Sequence, residues 1–193
     1  MNAAPVTFDL RSHPAVADPS ETEEPCVEPT IRAARDSDAD AIHRLVSDHV
    51  REGHLLPRSR DEIRSRVHRF VVAYDQTAVV ACADLAPLSR RVAEVRSLVV
   101  VDQARSRGIC RRLVQELERR AVAAGFETLC AFTHSPEYFV RMGFSIVPHT
   151  WLPEKIETDC RSCAQFRHCG QYAVLLPLFR PRPVRELARA THA

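Results

Sequence analysis

The stretch from Glu94 to Arg112 holds the residues of this chain most suited to chemistry. Its first half is rich in β-branched residues and predicts a strand, and a basic loop with one glycine leads directly into a predicted helix. Such a junction aims unpaired backbone N–H groups and the positive end of a helix at one point. Residues 105–110 of the loop read Arg-Ser-Arg-Gly-Ile-Cys, and we expect them to bind an anion.

A second group of reactive side chains lies near the C-terminal end, at Cys160, Cys163, His168 and Cys169. Three thiols and an imidazole match the ligand set of a tetrahedral zinc site. The adjacent pair His168-Cys169 argues against zinc, because neighbouring side chains do not easily point at one ion. We therefore favour reduced structural thiols and expect no metal, with a zinc site and a redox disulfide as the alternatives.

The elements that position these residues follow from the hydrophobic pattern. A short strand is predicted at residues 30–34, and a helix follows with apolar residues at i, i+3, i+4 and i+8 from Ile42. Ser59 and Glu62 form a candidate capping box at the start of a second helix, whose apolar pattern continues to Phe70.

Strands and helices then alternate in a mixed α/β order. The predicted strands are 70–74, 78–85, 92–101, 127–132, 145–147 and 172–178, and the predicted helices are 108–124 and 136–142. The first two strands form a hairpin, although their turn, Asp75-Gln76-Thr77, lacks the glycine that such turns prefer. Gly125 is expected to end the longer helix in the left-handed conformation.

The composition is that of a globular protein of ordinary size. The chain has 193 residues, 45% hydrophobic and 27% charged, with a net charge of +2. This charge is too small to favour nucleic acid or a membrane surface as partner, and no stretch approaches the roughly 20 apolar residues of a membrane span. The N-terminus lacks a secretory pattern, and the cysteine number, 7, is odd, so we expect a cytoplasmic protein with free thiols.

The domain organisation is predicted from proline content and apolar periodicity. Residues 1–28 are proline-rich and acidic and are predicted to be a disordered leader. Residues 29–179 form one predicted domain, which includes a cysteine-rich loop at 160–169. Residues 180–193 are predicted to be a flexible tail.

The basic loop resembles that of a known enzyme family. Residues 105–110 are close to the Gln/Arg-x-x-Gly-x-Gly/Ala loop that binds pyrophosphate in GNAT acetyltransferases, and the strand before it resembles their acyl-CoA strand. The resemblance implies the GNAT (acyl-CoA N-acyltransferase) fold, an α/β fold with a mixed central sheet and flanking helices, and acetyl-CoA as co-substrate. Cys110 departs from the family's glycine or alanine. The coenzyme contacts implied are Leu98, Val99, Val100, Arg105, Ser106, Arg107, Gly108, Ile109, Cys110 and Arg111.

Further segments are similar to N-acetylglutamate synthases, which acetylate the α-amino group of L-glutamate for arginine biosynthesis. They are Gly53–Ser59, Glu62-Ile63, Ala81–Leu85, Glu94–Leu98, Phe132-Thr133, Tyr138–Phe144 and Leu152–Lys155. The match covers about residues 30–178 and resembles the short form without a preceding amino-acid-kinase domain. By this resemblance Arg58 holds a glutamate carboxylate and Leu56 offers a main-chain contact, and Lys155 is a second candidate for the carboxylate; a solvated surface arginine is the alternative for Arg58.

The same resemblance suggests which groups move protons. Glu94, at the start of the acyl-CoA strand, is expected to take the proton of the acceptor ammonium, although a solvent-facing strand end is the alternative. Most relatives carry a tyrosine four residues before the Gly-Phe turn, where this chain has Phe139. Tyr138 is one residue earlier, which rotates its side chain by roughly 100° on a helix. The hydroxyl of Thr133, or that of Ser135, is the other candidate for protonating the leaving thiolate.

Two other functions are compatible with these residues. One is a GNAT acetyltransferase for a different amine, such as another amino acid, an antibiotic or a protein. The other is a regulatory protein that binds CoA without turnover, which the unusual Cys110 and Phe139 would support. A small-molecule amino acid is the expected partner, and a homodimer is one compatible oligomeric state. Trp151 is predicted to pack near the rim of the pocket.

Overall fold

Among the described residues, seven strands form one mixed sheet. The computed structural model describes residues 28–51, 55–163 and 165–178, so the predicted leader up to residue 27 and the predicted tail lie outside the described residues. The strands are β1 Thr30–Ala33, β2 Phe70–Tyr74, β3 Val79–Pro87, β4 Val92–Val100, β5 Thr128–Thr133, β6 Ser145–Val147 and β7 Tyr172–Pro177.

Helices connect and cover these strands. They are α1 Ala39–Arg51, α2 Arg60–Ser65, α3 Ile109–Ala123, α4 Pro136–Val140 and α5 Pro153–Thr158. As predicted, α3 stops at a left-handed glycine, Gly125, with φ of 82°. In the described part of the chain, no helix has both the length and the apolar character that a membrane crossing requires.

The order of strands across the sheet is β1-β2-β3-β4-β5-β7-β6. The pair β4–β5 is parallel, and the other neighbouring pairs are antiparallel. The parallel pair is joined through α3, as a parallel crossover requires. β4 and β5 therefore lie at the centre of the sheet, and the basic loop before α3 lies at the C-terminal end of β4.

The core has a layer on each face of the sheet. Along β2, Val71 and Ala73 pack on the side of α3, whereas Phe70 and Val72 pack on the side of α1. This alternation follows from the two-residue period of a strand. Leu113, Leu117 and Ala121 form the predicted apolar stripe of α3, and all three are fully buried. The predicted α/β architecture with a mixed, helix-flanked sheet is confirmed.

The β2–β3 turn shows how the hairpin closes without glycine. Gln76 adopts a left-handed φ of 81°. The Asp75 carboxylate accepts hydrogen bonds from the backbone N–H groups of Thr77 and Ala78, at 3.2 and 3.0 Å. The side chain of Asp75 thus supplies the local hydrogen bonds that offset the strained residue after it.

Three local predictions are wrong in detail. The α-helix expected over the apolar pattern up to Phe70 ends at Ser65 and is followed by a 3-10 turn at Val67–Arg69, and Phe70 opens β2 as the predicted strand at 70–74 requires. Ser59 does cap α2, since its hydroxyl accepts from the N–H of Glu62 at 3.1 Å, but the Glu62 carboxylate binds arginines rather than completing a capping box. Trp151, predicted to pack, is 65% exposed. α5 was not predicted at all, because six residues are too few to show a helical period.

Candidate active site

The parallel strands β4 and β5 separate in the second half of β4. β4 and β5 pair in register from Val92↔Thr128 to Val95↔Ala131, and no further pairing between them is found in the described residues. Beyond that point β5 continues to pair with β7, up to Thr133↔Tyr172. The backbone groups of β4 that face β5 are therefore left without a ladder partner after Val95, which is the arrangement an extended amide-bearing ligand needs.

A bulge in β4 widens this opening. Cys82 pairs with Val99 and Asp84 with Arg96, so that Ser97 and Leu98 together oppose one residue of β3. Ser97 has a φ of 49°, in the left-handed region that non-glycine residues rarely adopt. Bulges and strained residues of this kind bend a strand away from its neighbour and are concentrated at functional sites.

The basic loop lies at the end of the same strand. Gly108 is the N-cap of α3 with φ of 70°, and no side chain caps the helix there. Ser106 is also left-handed, at φ of 66°. A Cβ on Gly108 would meet nothing within 4 Å, so backbone conformation rather than space calls for glycine. The N–H groups of the first turn of α3 are thus free of side-chain caps and positioned to bind phosphate oxygens, which fits a coenzyme pyrophosphate.

A cavity of about 470 Å³ connects the loop to the opening between β4 and β5. It is lined by most of the residues predicted to contact the coenzyme: Leu98, Val99, Val100, Arg105, Ser106, Gly108, Ile109 and Cys110. Arg107 and Arg111, also predicted, do not line it but stay exposed on the loop and the first turn of α3. Eight of the ten predicted residues therefore line one cavity, which we refer to as the cofactor cavity.

Tyr138 and Cys110 meet in the cofactor cavity. Burial raises the pKa of Tyr138, and a hydrogen bond with the Cys110 thiol raises it further. Burial also raises the pKa of Cys110. Both groups are therefore protonated at neutral pH, and the cysteine that stands in for the family's glycine or alanine has a hydrogen-bonding partner in Tyr138.

A second cavity, of about 260 Å³, adjoins the first. The two share Leu98, Thr133, Ser135 and Phe139, so a group bound in one lies next to a group bound in the other. The predicted acceptor residues Leu56, Arg58 and Lys155 line this second cavity, together with the predicted base Glu94. We refer to it as the acceptor cavity. Tyr138 lines the cofactor cavity alone, whereas Thr133 lines both.

Glu94 belongs to a closed ring of four charged side chains. Glu94 as a residue is only 3% exposed, and its carboxylate accepts from Lys155 Nζ at 2.7 and 2.9 Å and from Arg96 Nε at 2.5 Å. Asp159 Oδ2 contacts both cations in turn, Lys155 Nζ at 2.9 Å and a terminal nitrogen of Arg96. Two carboxylates and two cations alternate around what we call the charge ring, which is neutral overall.

Arg96 and Asp159 are functional candidates that the sequence prediction missed. Arg96 carried a signal, because a residue two positions after Glu94 on a strand lies on the same face. Asp159 carried a weaker one, since its i, i+4 relation to Lys155 has meaning only once α5 is known. Ser97, His134 and Gln171 also line the acceptor cavity and were not predicted.

Arg58 lies outside the charge ring. Its guanidinium donates to Glu62 Oε1 at 2.9 Å, and Arg66 donates to the same oxygen at 2.9 Å. Two cations thus share one carboxylate, and the Arg58 guanidinium also lies close enough to Asp84 and Asp159 to favour their charged forms. Arg58 lines the acceptor cavity and Arg66 does not, so the Arg58 guanidinium faces the place where an acceptor would bind.

The late cysteines lie beside the charge ring. Cys160 directly follows Asp159, and burial raises the pKa of its thiol. Cys160, Cys163 and Cys169 are free thiols in this structure. Within the described ranges, no three His, Cys, Asp or Glu side chains are grouped so as to hold a metal ion. The structural role predicted for these reduced thiols stays a prediction, and the redox disulfide stays an alternative to it.

Comparison with known proteins agrees with this geometry. Residues 37–144 match the acetyltransferase (GNAT) family. An uncharacterized N-acetyltransferase of Chlorobaculum tepidum is 32% identical over 154 residues, which cover 80% of this chain and 99% of that protein. The amino-acid acetyltransferase of Neisseria meningitidis serogroup A is 28% identical over 72% of this chain, and the match spans 32% of that enzyme's length.

Among solved structures, N-acetylglutamate synthase from Neisseria gonorrhoeae, complexed with coenzyme A and N-acetyl-glutamate, superposes with a TM-score of 0.72 at 26% identity. The match covers 80% of this chain and 36% of that one. The family match, the parted central strands and the uncapped helix at the basic loop support one conclusion. This chain belongs to the GNAT family of acetyltransferases and uses acetyl-CoA as its co-substrate.

Proposed function

We propose that this enzyme transfers the acetyl group of acetyl-CoA to the α-amino group of L-glutamate. The observation that carries the proposal is the acceptor cavity, where the Arg58 guanidinium, which shares one Glu62 oxygen with Arg66, lines the wall beside the cofactor cavity. A guanidinium binds carboxylates in a planar, two-pronged geometry. An amino acid with a side-chain carboxylate fits this charge better than a cationic or neutral amine does.

The roles of the neighbouring groups follow from their hydrogen bonds. An ionised carboxylate offers about four acceptor positions, and Glu94 uses three of them on Lys155 and Arg96. One position on Oε1 therefore stays open to the acceptor ammonium or to a bridging water. In this proposal Glu94 removes the proton that makes the amine non-nucleophilic.

Acetyl-CoA supplies the activated acyl group for this transfer. The unpaired backbone of β4 near Leu98 is placed to orient the pantetheine arm and to polarise the carbonyl. Thr133 Oγ1 accepts from the Ser135 N–H at 3.0 Å, so its own hydrogen is free to be donated. Because Thr133 lines both cavities, its hydroxyl is the best-placed candidate for protonating the leaving thiolate.

The comparisons support the amino-acid class of acceptor. The Neisseria meningitidis relative is an amino-acid acetyltransferase, and the gonococcal structure was solved with N-acetyl-glutamate. This chain spans about a third of the length of those enzymes. A role in arginine biosynthesis would follow if glutamate is the acceptor.

The direct test is an assay of glutamate with acetyl-CoA that follows both free thiol and N-acetylglutamate. We expect glutamate to be preferred over aspartate, glutamine, lysine and a peptide N-terminus in a parallel screen. A preference for any other amine would contradict the glutamate assignment while leaving the acetyltransferase intact. Growth of an arginine auxotroph carrying this chain is the matching test in cells.

A further inference from the structure

We propose that Asp159 is a positioning residue for the transfer, because it completes the charge ring and so holds Lys155 and Arg96 in place around Glu94. The inference rests on the proposed function, since Glu94 is the base in that proposal. It assigns a role to a residue outside the acceptor cavity that acts through its contacts with Lys155 and Arg96.

The geometry of the ring carries the proposal. Lys155 Nζ lies 2.9 Å from Asp159 Oδ2 and 2.7 Å from Glu94 Oε1, so one ammonium joins the two carboxylates. Arg96 joins the same two carboxylates from the opposite side, with Nε on Glu94 and a terminal nitrogen on Asp159. Each cation is therefore fixed by two anions, and neither can shift without breaking a contact to the base.

Three of the four side chains of the charge ring are largely buried. The side chains of Glu94, Lys155 and Arg96 are 4%, 12% and 13% exposed, so their charges have little water to solvate them. Buried ions need matched partners and fully used hydrogen bonds. Asp159, at 31% side-chain exposure, is the member nearest to solvent and closes the ring from outside.

Other ionisable groups adjoin the ring from the elements packed around it. On β5, Cys130 is opposite Glu94 in register, and burial together with the Glu94 charge raises its thiol pKa, so it stays neutral. On β3, Asp84 is opposite Arg96 and is engaged by Arg69 through two hydrogen bonds. From the segment before α2, the Arg58 guanidinium acts on Asp84 and on Asp159 and favours the charged form of each. The hydrogen bonds to Glu94 itself come from Lys155 and Arg96, which Asp159 also contacts.

Removing the Asp159 charge has a definite consequence. Lys155 and Arg96 would then direct both positive charges at Glu94 alone, and a carboxylate that faces two unshared cations holds its proton less readily. Such a carboxylate is also a weaker base toward the acceptor amine. Asp159 therefore keeps the base reactive as well as placing it.

The test is Asp159→Asn in the full chain, with kcat measured as a function of pH. We expect kcat at neutral pH to fall about tenfold and the acidic limb of the profile to move to lower pH by about one unit. The KM for acetyl-CoA should be unchanged, because Asp159 does not line the cofactor cavity. Asp159→Glu should recover part of kcat, since it restores the charge.

Glu157→Gln is the matched control. Glu157 lies on α5 and pairs with Arg161 at 2.8 Å, both strongly exposed, so its loss removes a carboxylate from the same segment without touching the ring. We expect wild-type kcat and an unchanged pH profile. A reduced kcat in Asp159→Asn with an unmoved acidic limb, or an unreduced kcat in a variant with normal thermal unfolding, would overturn the positioning role.

The proposed function and this inference fail in different ways. If the wild-type enzyme acetylates another amine instead of glutamate, the acceptor assignment is wrong. The kcat values of Asp159→Asn and of the wild type are then compared by thiol release with that amine as acceptor. The shift of the acidic limb between wild type and Asp159→Asn is expected with either acceptor, because it depends on the ring and not on the substrate carboxylate.

Discussion

The cofactor cavity and the acceptor cavity adjoin each other but are built in different ways. The cofactor side depends on backbone: a parted strand, a bulge and an uncapped helix start, most of it within the continuous segment from Leu98 to Cys110. The acceptor side depends on side chains from distant segments, with Arg58 before α2, Glu94 on β4 and Lys155 on α5. In our proposal, the coenzyme is thus recognised mainly by main-chain groups and the acceptor by charged side chains.

Because the two cavities are built differently, coenzyme binding and acceptor binding should respond to different kinds of substitution. Backbone recognition is sensitive to conformation and largely indifferent to side-chain identity, which is consistent with a cysteine at position 110. Charge recognition depends on each ion and on its neighbours, because buried charges are balanced in pairs. A variant that alters coenzyme binding and one that alters acceptor binding should therefore be separable by their KM values.

The largest effect is expected from Gly108→Val. A β-branched residue at φ of 70° is strained, so the loop should abandon the conformation that presents its N–H groups. We expect the KM for acetyl-CoA to rise by about a hundredfold, equivalent to about 2.7 kcal/mol, with the glutamate KM little changed. Isothermal calorimetry with CoA gives a second measure.

Gly125→Val is the control for the loss of stability that strain at position 108 causes in Gly108→Val. Gly125 has a φ of 82° and open space around its Cα, like Gly108, but it lies at the far end of α3. Both variants should lose similar stability, and only Gly108→Val should lose coenzyme affinity. Equal CoA binding by the two variants would mean that the loop conformation is not what binds the coenzyme.

Next in size is Arg58→Ala. Loss of a hydrogen bond to a charged group costs about 1.5–3 kcal/mol, so the glutamate KM should rise roughly tenfold or more while the acetyl-CoA KM stays nearly constant. Arg66→Ala is the control, because Arg66 binds the same Glu62 oxygen without lining the acceptor cavity. If both variants raise the glutamate KM alike, Arg58 is a structural partner of Glu62 and not a carboxylate ligand.

A smaller effect is expected from Thr133→Val. It removes one neutral hydrogen bond at the boundary of the two cavities, worth about 0.5–1.5 kcal/mol, so kcat should fall about two- to tenfold. Tyr138→Phe should lower kcat less, because the Tyr138 hydroxyl lies in the cofactor cavity with Cys110. The opposite ranking in single-turnover measurements would assign the proton donor to Tyr138.

The smallest effect concerns stability. Glu116 on α3 accepts from Arg119 and Arg120, both local partners, and these hydrogen bonds lower its pKa from 4.5 to about 2. Because the pKa of Glu116 is lower in the folded protein, its ionised carboxylate stabilises the fold at pH values above the ordinary pKa of 4.5. This stabilisation is lost as the pH falls from 4.5 toward about 2. Glu116→Gln should cost about 1 kcal/mol at neutral pH, because partly exposed pairs contribute little.

Urea unfolding of the Glu116→Gln variant and of the wild type at several pH values measures this contribution. The two stability curves should be separated at neutral pH and should converge in acid. A constant separation down to acidic pH would show that the loss comes from packing and not from the ion pairs. Activity per folded molecule should be unchanged, because α3 beyond its first turn lines neither cavity.

The same contrast explains what the sequence could predict. The strand, loop and helix of the cofactor side are contiguous, so their types, order and the role of Gly108 are readable from local pattern. α1, α3 and the six strands after the first helices were placed to within a few residues because their periodicity is clear. The GNAT fold and the acetyl-CoA co-substrate followed from the same segment.

The acceptor side was only partly predictable. Arg58, Glu94 and Lys155 were identified as separate candidates, but the charge ring was not. The ring depends on two long-range contacts: Glu94 with Lys155, which are separated by 61 positions in the chain, and Arg96 with Asp159, which are separated by 63. α5 is a helix of 6 residues that starts at Pro153 and is too short to show a period. The bulge at Ser97 also had no signal, since neither glycine nor proline marks it.

The strand order has a consequence for how the molecule is completed. In the described part of the chain, β6 joins the sheet only through β7, which inserts between β5 and β6. The position beside β5 therefore stays empty during synthesis until β7 has been made. The segment between β6 and β7 carries Lys155 and Asp159, so the charge ring can close only after that segment has been made, although β4, the basic loop and α3 all precede it.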